Sequence, residues 1–129
     1  MSTEGNACIL VVDDEPAVLT LITTLLKKNG YDHLGANSAR DALALFTKHR
    51  DKVDLLVSDI MMPEMDGFAL TSAIHRRKPD LPVIFVSAFC DTITDAHRYE
   101  CISKPFAPAE LLNTITKALA KKTTGADRG

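Results

Sequence analysis

The strongest constraint on this chain is an alternation. Short apolar runs of strand length trade places with segments of helical period from one end to the other. Cys8–Val12 is fully apolar and rich in branched residues, which reads as a buried strand. Pro16–Lys28 follows, with Val18, Leu21, Ile22 and Leu25 at helical spacing, Pro16 suited to a first turn and Gly30 to a stop. Asp32–Ala36 is a weak strand. Ser38 is placed to cap a helix running to about His49, with Ala39, Ala42, Leu43 and Phe46 inward. Val53–Ser58 is a third strand, followed by a turn-prone loop at Met62–Asp66 and a helix from about Gly67 to Arg77. Val83–Ser87 is a fourth strand and Cys101–Ser103 a thin fifth. Pro108–Lys121 closes the pattern as a helix with Leu111, Leu112, Ile115, Ala118 and Leu119 inward.

Such alternation predicts a doubly wound α/β fold, a parallel sheet with helices on both faces. The most apolar runs, at Cys8, Val53 and Val83, belong in the centre, and the mixed runs at Asp32 and Cys101 at the edges. Right-handed crossovers then favour the strand order 2-1-3-4-5. At 129 residues the chain fits one domain with one core, predicted over residues 1–122 with 123–129 as a flexible tail or linker stump.

Composition narrows the function. A net charge of −2 gives no reason to expect direct nucleic-acid or anionic-membrane binding. No apolar run reaches the ~20 residues of a membrane span, and the polar start Met1–Asn6 carries no signal pattern. The three cysteines, Cys8, Cys90 and Cys101, are odd in number and widely spaced, so they read as reduced thiols of a cytoplasmic protein. His33, His49, His75 and His97 share no metal-like spacing and read as structural or solvated. The Arg76–Lys78 run reads as a solvated helix end, and Met61, Met62 and Met65 as packing residues.

The predicted strand order also locates a site. Ligands of such sheets sit beyond the carboxyl ends of the strands, at the switch point between the first and third. The polar residues at those ends are Asp13, Asp14, Asp59, Ser87 and Lys104. Crowded carboxylates repel one another, and a hard divalent cation resolves the conflict. Oxygen ligands in small number suit Mg²⁺. Asp14 and Asp59 are expected as direct ligands, Asp13 as a direct or water-bridged one, with the backbone carbonyl of Met61 completing the set. A carboxylate beside Mg²⁺ can attack phosphorus and form an acyl phosphate. Mg²⁺, Lys104 and the Ser87 hydroxyl would then each meet one phosphoryl oxygen.

These residues sit within four motifs: VVDDE at Val11–Glu15, SDIMMPEMDGF at Ser58–Phe68, VSA at Val86–Ala88 and SKPF at Ser103–Phe106. Together and in this order they closely resemble the receiver domains of two-component response regulators, over about Ala7 to Leu119. The resemblance implies a flavodoxin-like receiver fold and phosphoryl transfer to Asp59 from a phosphohistidine on a histidine kinase or histidine phosphotransfer protein. It implies a cis peptide at Lys104–Pro105, a bond type confined almost wholly to X–Pro. It further implies that phosphorylation draws Ser87 inward and shifts the surface around the fourth helix and fifth strand. Such a domain catalyses only its own phosphorylation and dephosphorylation.

Two departures from the family pattern bear on output. Only about a dozen residues, Ala88–Tyr99, cross from the fourth strand to the fifth, close to the minimum for a parallel crossover. A shortened fourth helix, about Thr92–His97, is therefore expected. Cys101 stands where the family places an aromatic, with Tyr99 the nearest substitute. The expected output is then not the standard dimer through the fourth helix, with a phosphorylation-dependent homodimer as the alternative. The resemblance also places Met61 and Phe89 where family members tune water access to the acyl phosphate, and because both are apolar, slow hydrolysis is expected. A small-molecule phosphatase working through an aspartyl phosphate is the rival class, but it wants an acid two residues after the nucleophile, where Met61 stands. An unphosphorylated pseudo-receiver is a third, opposed by the intact set of polar residues.

Overall fold

The computed structural model describes residues 6–90 and 99–128. The strands are β1 (Cys8–Val12), β2 (Asp32–Ala36), β3 (Val53–Ser58), β4 (Val83–Ser87) and β5 (Glu100–Ser103). They form one sheet in the order β2-β1-β3-β4-β5. Every neighbouring pair is parallel. The helices among the described residues are α1 (Pro16–Lys28), α2 (Ala39–His49), α3 (Gly67–His75) and α4 (Pro108–Arg128). The short helix expected at Thr92–His97 lies outside the described residues.

The central strands bury both faces, and period-2 alternation divides their side chains between two cores. Leu10, Val12, Leu56, Val83 and Phe85 face α2 and α3, where Phe46, Leu70 and Ile74 meet them. Ile9, Val11, Leu55, Val57, Ile84 and Val86 face α1 and α4, against Ile22, Leu26, Leu111 and Ile115. The mixed composition of β2 and β5 is explained by their places at the two sheet edges.

Local signals set the helix starts. The Ser38 hydroxyl accepts from the Asp41 N–H at 3.1 Å and caps α2. The Asp66 carboxylate accepts from the Ala69 N–H at 2.8 Å and caps α3. Gly30, at φ +83°, ends α1 in a left-handed conformation that glycine adopts without strain.

Three expectations change. The apolar stripe of α1 is centred on Ile22 and Leu26, leaving Leu21 46% exposed. Met62 and Met65 pack on the α2–α3 core, but Met61 is 52% exposed. The last helix continues past Lys121 to Arg128, through the stretch expected as a tail. No proline interrupts it, and Gly125 lowers helix propensity by about 1 kcal/mol without forbidding the conformation. No described helix is long and apolar enough to cross a membrane.

Candidate functional site

The β1 and β3 strands run in register, Val12 beside Ser58, so their carboxyl ends deliver Asp13 and Asp59 side by side. The Asp59 N–H donates to the Val12 carbonyl at 2.9 Å and extends the ladder to the site itself. Asp13 is 1% and Asp59 6% exposed. Carboxylate oxygens of Asp13, Asp14 and Asp59 lie within 4.8 Å of one another, so the structure brings together the three acids expected as metal ligands.

Lys104 reaches this cluster from the end of β5. Its Nζ lies 3.1 Å from Asp59 Oδ2 and 2.9 Å from Asp13 Oδ2. It also bonds Glu15 Oε1 at 2.8 Å. Glu15 was not singled out by sequence reasoning. Its signal is its place two residues after Asp13, where the chain turns into α1 and its N–H donates to Asp13 Oδ1 at 2.9 Å. Burial works against charge on Lys104, but the bonds to Glu15, Asp13 and Asp59 outweigh it and hold the ammonium well above the ordinary lysine range. For Asp13 burial dominates and raises its pKa. The Glu15 N–H and Lys104 offset only part of that, and the nearby Asp59 charge adds to it. Asp13 Oδ2 is buried and has the lysine contact but no well-directed hydrogen-bond donor. An oxygen-only cluster with an under-satisfied buried carboxylate oxygen has the chemistry of a hard-cation site.

The other two expected residues stand at different distances from this chemistry. Ser87 is wholly buried at the end of β4. Its hydroxyl accepts from the Phe89 N–H at 3.1 Å, and its carbonyl from the Lys104 N–H at 3.0 Å. It flanks the carboxylate cluster but does not join its ion pairs. Met61 meets the cluster through its backbone, its N–H donating to Asp59 Oδ1 at 3.3 Å. The bond between Lys104 and Pro105 is cis.

Gly67 fixes the far side. Its N–H donates to the Ile60 carbonyl at 2.7 Å, and a Cβ there would collide with the Asp59 carbonyl oxygen and stand 3.0 Å from Ile60 Cα. The start of α3 therefore packs against the Asp59 backbone itself, which no other residue type permits without movement.

Sequence and fold comparisons decide the family. A model described as "Response regulator receiver domain" matches residues 9–116. The chain belongs to the response regulator receiver domain family. The receiver is 34% identical over 123 residues to "Sensor kinase CckA" of Brucella abortus, covering 92% of this chain and 13% of that protein. It is 35% identical over 118 residues to "Probable transcriptional regulator ycf27" of Porphyra purpurea, covering 88% and 47%. Its fold is similar to a response regulator receiver domain protein from Clostridium thermocellum, with TM-score 0.84 and 29% identity over 92% of this chain and 98% of that one. It is also similar to NtrX from Brucella abortus, with TM-score 0.87 and 31% identity over 95% and 29%. The receiver thus spans less than half the length of these two curated relatives.

One reading of the receiver is corrected. Cys90 and Cys101 are not separate thiols but are joined by a disulfide bond, Cα atoms 5.8 Å apart. Cys101 pairs with Phe85 on neighbouring strands, and Cys90 follows β4 by three residues, so sheet topology joins cysteines that linear spacing kept apart. Cys8 is free and buried. The aromatic neighbour Tyr99 packs inward, edge-on to Phe85 with ring centroids 5.3 Å apart. His75 bonds the Leu81 carbonyl at 2.9 Å, a structural role, while His97 lies outside the described residues. The basic run is partly structural too: Arg77 bonds Thr47, and Lys78 holds the Arg50 and Val53 carbonyls after α2.

Proposed function

We propose that this receiver, taken as residues 1–122, accepts a phosphoryl group on Asp59. The donor is a phosphohistidine on a histidine kinase or a histidine phosphotransfer protein in the cytoplasm. The observation that carries this reading is the Asp59 carboxylate, nearly buried yet facing a lysine ammonium at 3.1 Å and two further carboxylates. The crowded acids call for a cation, and with one bound beside the Lys104 ammonium, Asp59 could receive a group that brings negative charge of its own.

The donor set fits Mg²⁺. Asp13, Asp14, Asp59 and the Met61 carbonyl would hold it, and when bound it neutralises charge on the phosphoryl oxygens. The chain supplies the rest. An Asp59 oxygen attacks phosphorus in line, the new O–P bond forms as the N–P bond to histidine breaks, and the imidazole departs. Lys104, shared among three carboxylates before transfer, turns one N–H toward a phosphoryl oxygen. Ser87 must release the Phe89 N–H for its hydroxyl to do the same. The exposed Met61 and Phe89 (52% and 45%) flank Asp59 and Ser87 in sequence, and their apolar side chains favour a long-lived acyl phosphate. The product switches the domain's surface for an effector or a second copy.

Incubation with Mg²⁺ and acetyl phosphate, read by intact mass, tests the reading. The wild-type chain is expected to gain one phosphoryl group and Asp59→Asn none. No gain in wild type, or an undiminished gain in the variant, rejects it.

A further inference from the structure

The Cys90–Cys101 bond lies beside the site without belonging to its chemistry. It joins the turn after β4 to the middle of β5, across an eleven-residue separation. Those strands are already tied by a parallel ladder from Ile84 beside Glu100 to Ser87 beside Ser103. Two cores pack the sheet on both faces. Small secreted domains use disulfides to offset a deficient core, and this domain has no such deficit. In a cytosolic chain, disulfides are mostly transient and redox-sensing. Both cysteines are partly exposed, within reach of a small solute, whereas Cys8 is 1% exposed and its thiol pKa is raised by burial.

The bond's position gives it a mechanical consequence. Cys90 Sγ lies 3.6 Å from the Ser87 carbonyl, and the Phe89 N–H holds the Ser87 hydroxyl. For Ser87 to turn toward a phosphorylated Asp59, that Phe89 contact must open and the 87–90 turn must shift. A covalent link from Cys90 to β5 opposes the shift.

We propose that Cys90 and Cys101 form a reversible thiol–disulfide switch, oxidised by a low-molecular-weight disulfide of the glutathione type, that locks the β4–β5 edge. The inference rests on the receiver reading for its consequence, though not for its chemistry. In oxidation one cysteine thiolate attacks the small disulfide, forming a mixed disulfide and expelling one small thiolate. The second cysteine attacks the protein sulfur of that intermediate, the Cys90–Cys101 bond forms and the second small thiol leaves. Two electrons pass from the protein to the small disulfide, and the two thiol protons end on the two small thiols. Excess small thiol runs the sequence backward.

The full chain is equilibrated in buffers from fully reduced to fully oxidised glutathione, quenched in denaturant with an alkylating agent, and weighed. Three alkylated cysteines are expected at the reducing end and one, Cys8, at the oxidising end. Amide exchange over residues 83–90 and 99–103 is then compared between the two forms. It should be faster in the reduced form, on the order of tenfold. Cys90→Ser and Cys101→Ser should exchange like the reduced form in every buffer. With beryllofluoride and Mg²⁺, the reduced form should show a further exchange change on this edge that the oxidised form lacks. Three alkylations in every buffer, one in every buffer, or equal edge exchange in the two forms overturns the proposal. Acetyl phosphate labelling of both forms runs alongside. A lack of phosphoryl gain in both is a failure of the receiver reading, and the alkylation and exchange results still decide the switch.

Discussion

The carboxyl ends of β1 and β3 and those of β4 and β5 lie side by side, yet they are held by opposite means. At β1 and β3 three acids converge and are kept in place by an ammonium ion, an arrangement that depends on charge and responds to cations. At β4 and β5 a buried hydroxyl, a ladder and a covalent sulfur bond do the holding. Lys104, at the end of β5, is the strut between the two. The first wall is left electrostatically unfinished, while the neighbouring edge is mechanically tied. The two walls should therefore respond to different perturbations.

The largest effect is expected at the strut. Lys104→Ala leaves Asp13 and Asp59, 1% and 8% exposed at their side chains, without a cation. Breaking a buried pair costs about 3 kcal/mol, which urea unfolding of the metal-free protein should read. Saturating Mg²⁺ should recover much of that loss. An equal deficit with and without Mg²⁺ would mean the first wall is not held by charge.

Reducing the Cys90–Cys101 bond opens a loop of about a dozen residues and should lower stability by about 2–3 kcal/mol. Mg²⁺ affinity, titrated on both forms, should stay the same. A large change in affinity would show that the walls are not independent.

Asp13→Asn should act in the other direction and raise metal-free stability at neutral pH by about 1 kcal/mol. The sign follows from linkage. A carboxyl whose folded pKa lies above its unfolded value of 3.8 costs nothing below that value and weighs against folding above the folded pKa. The gain should thus be present at pH 7 and vanish at acid pH below 3.8, which paired urea titrations can establish. Mg²⁺ should remove the advantage, because the variant gives up a ligand.

The smallest effect is a control in the loop between the walls and α3. Glu64 sits at φ 72°, a left-handed conformation that costs an ordinary residue about 1–2 kcal/mol. Glu64→Gly relieves that but adds chain entropy to the unfolded state, so a gain of about 0.5 kcal/mol in urea is expected, equal in both redox forms.

What sequence could and could not reveal follows the same division. β1 and β4 announce themselves because burial on both faces leaves no polar position in the strand interior, and β3 carries only Asp54, beside its first residue. The parallel order then puts Asp13, Asp59 and, after β5, Lys104 at one end. Glu15 was passed over because nothing in its residue type distinguishes a lysine partner from a solvated first-turn acid. The cysteine pair was invisible for a different reason. Spacing along the chain says little about two residues brought together by neighbouring strands, and an odd count argued against pairing. Met61 differs from Met62 and Met65 only in which way the loop turns it, a matter the sequence pattern does not encode.

The seat of Gly67 on the Asp59 backbone also matters to anyone building a biosensor from this domain. The stretch from Asp59 to Gly67 is clamped at both ends, so a reporter inserted there would dismantle the carboxylate cluster it was meant to watch. The turn at Arg50–Lys52 lies at the opposite end of the sheet, with the Asp51 side chain fully exposed. A dye or a split reporter grafted at Asp51 leaves the clamp intact, which makes that turn the place to attach it.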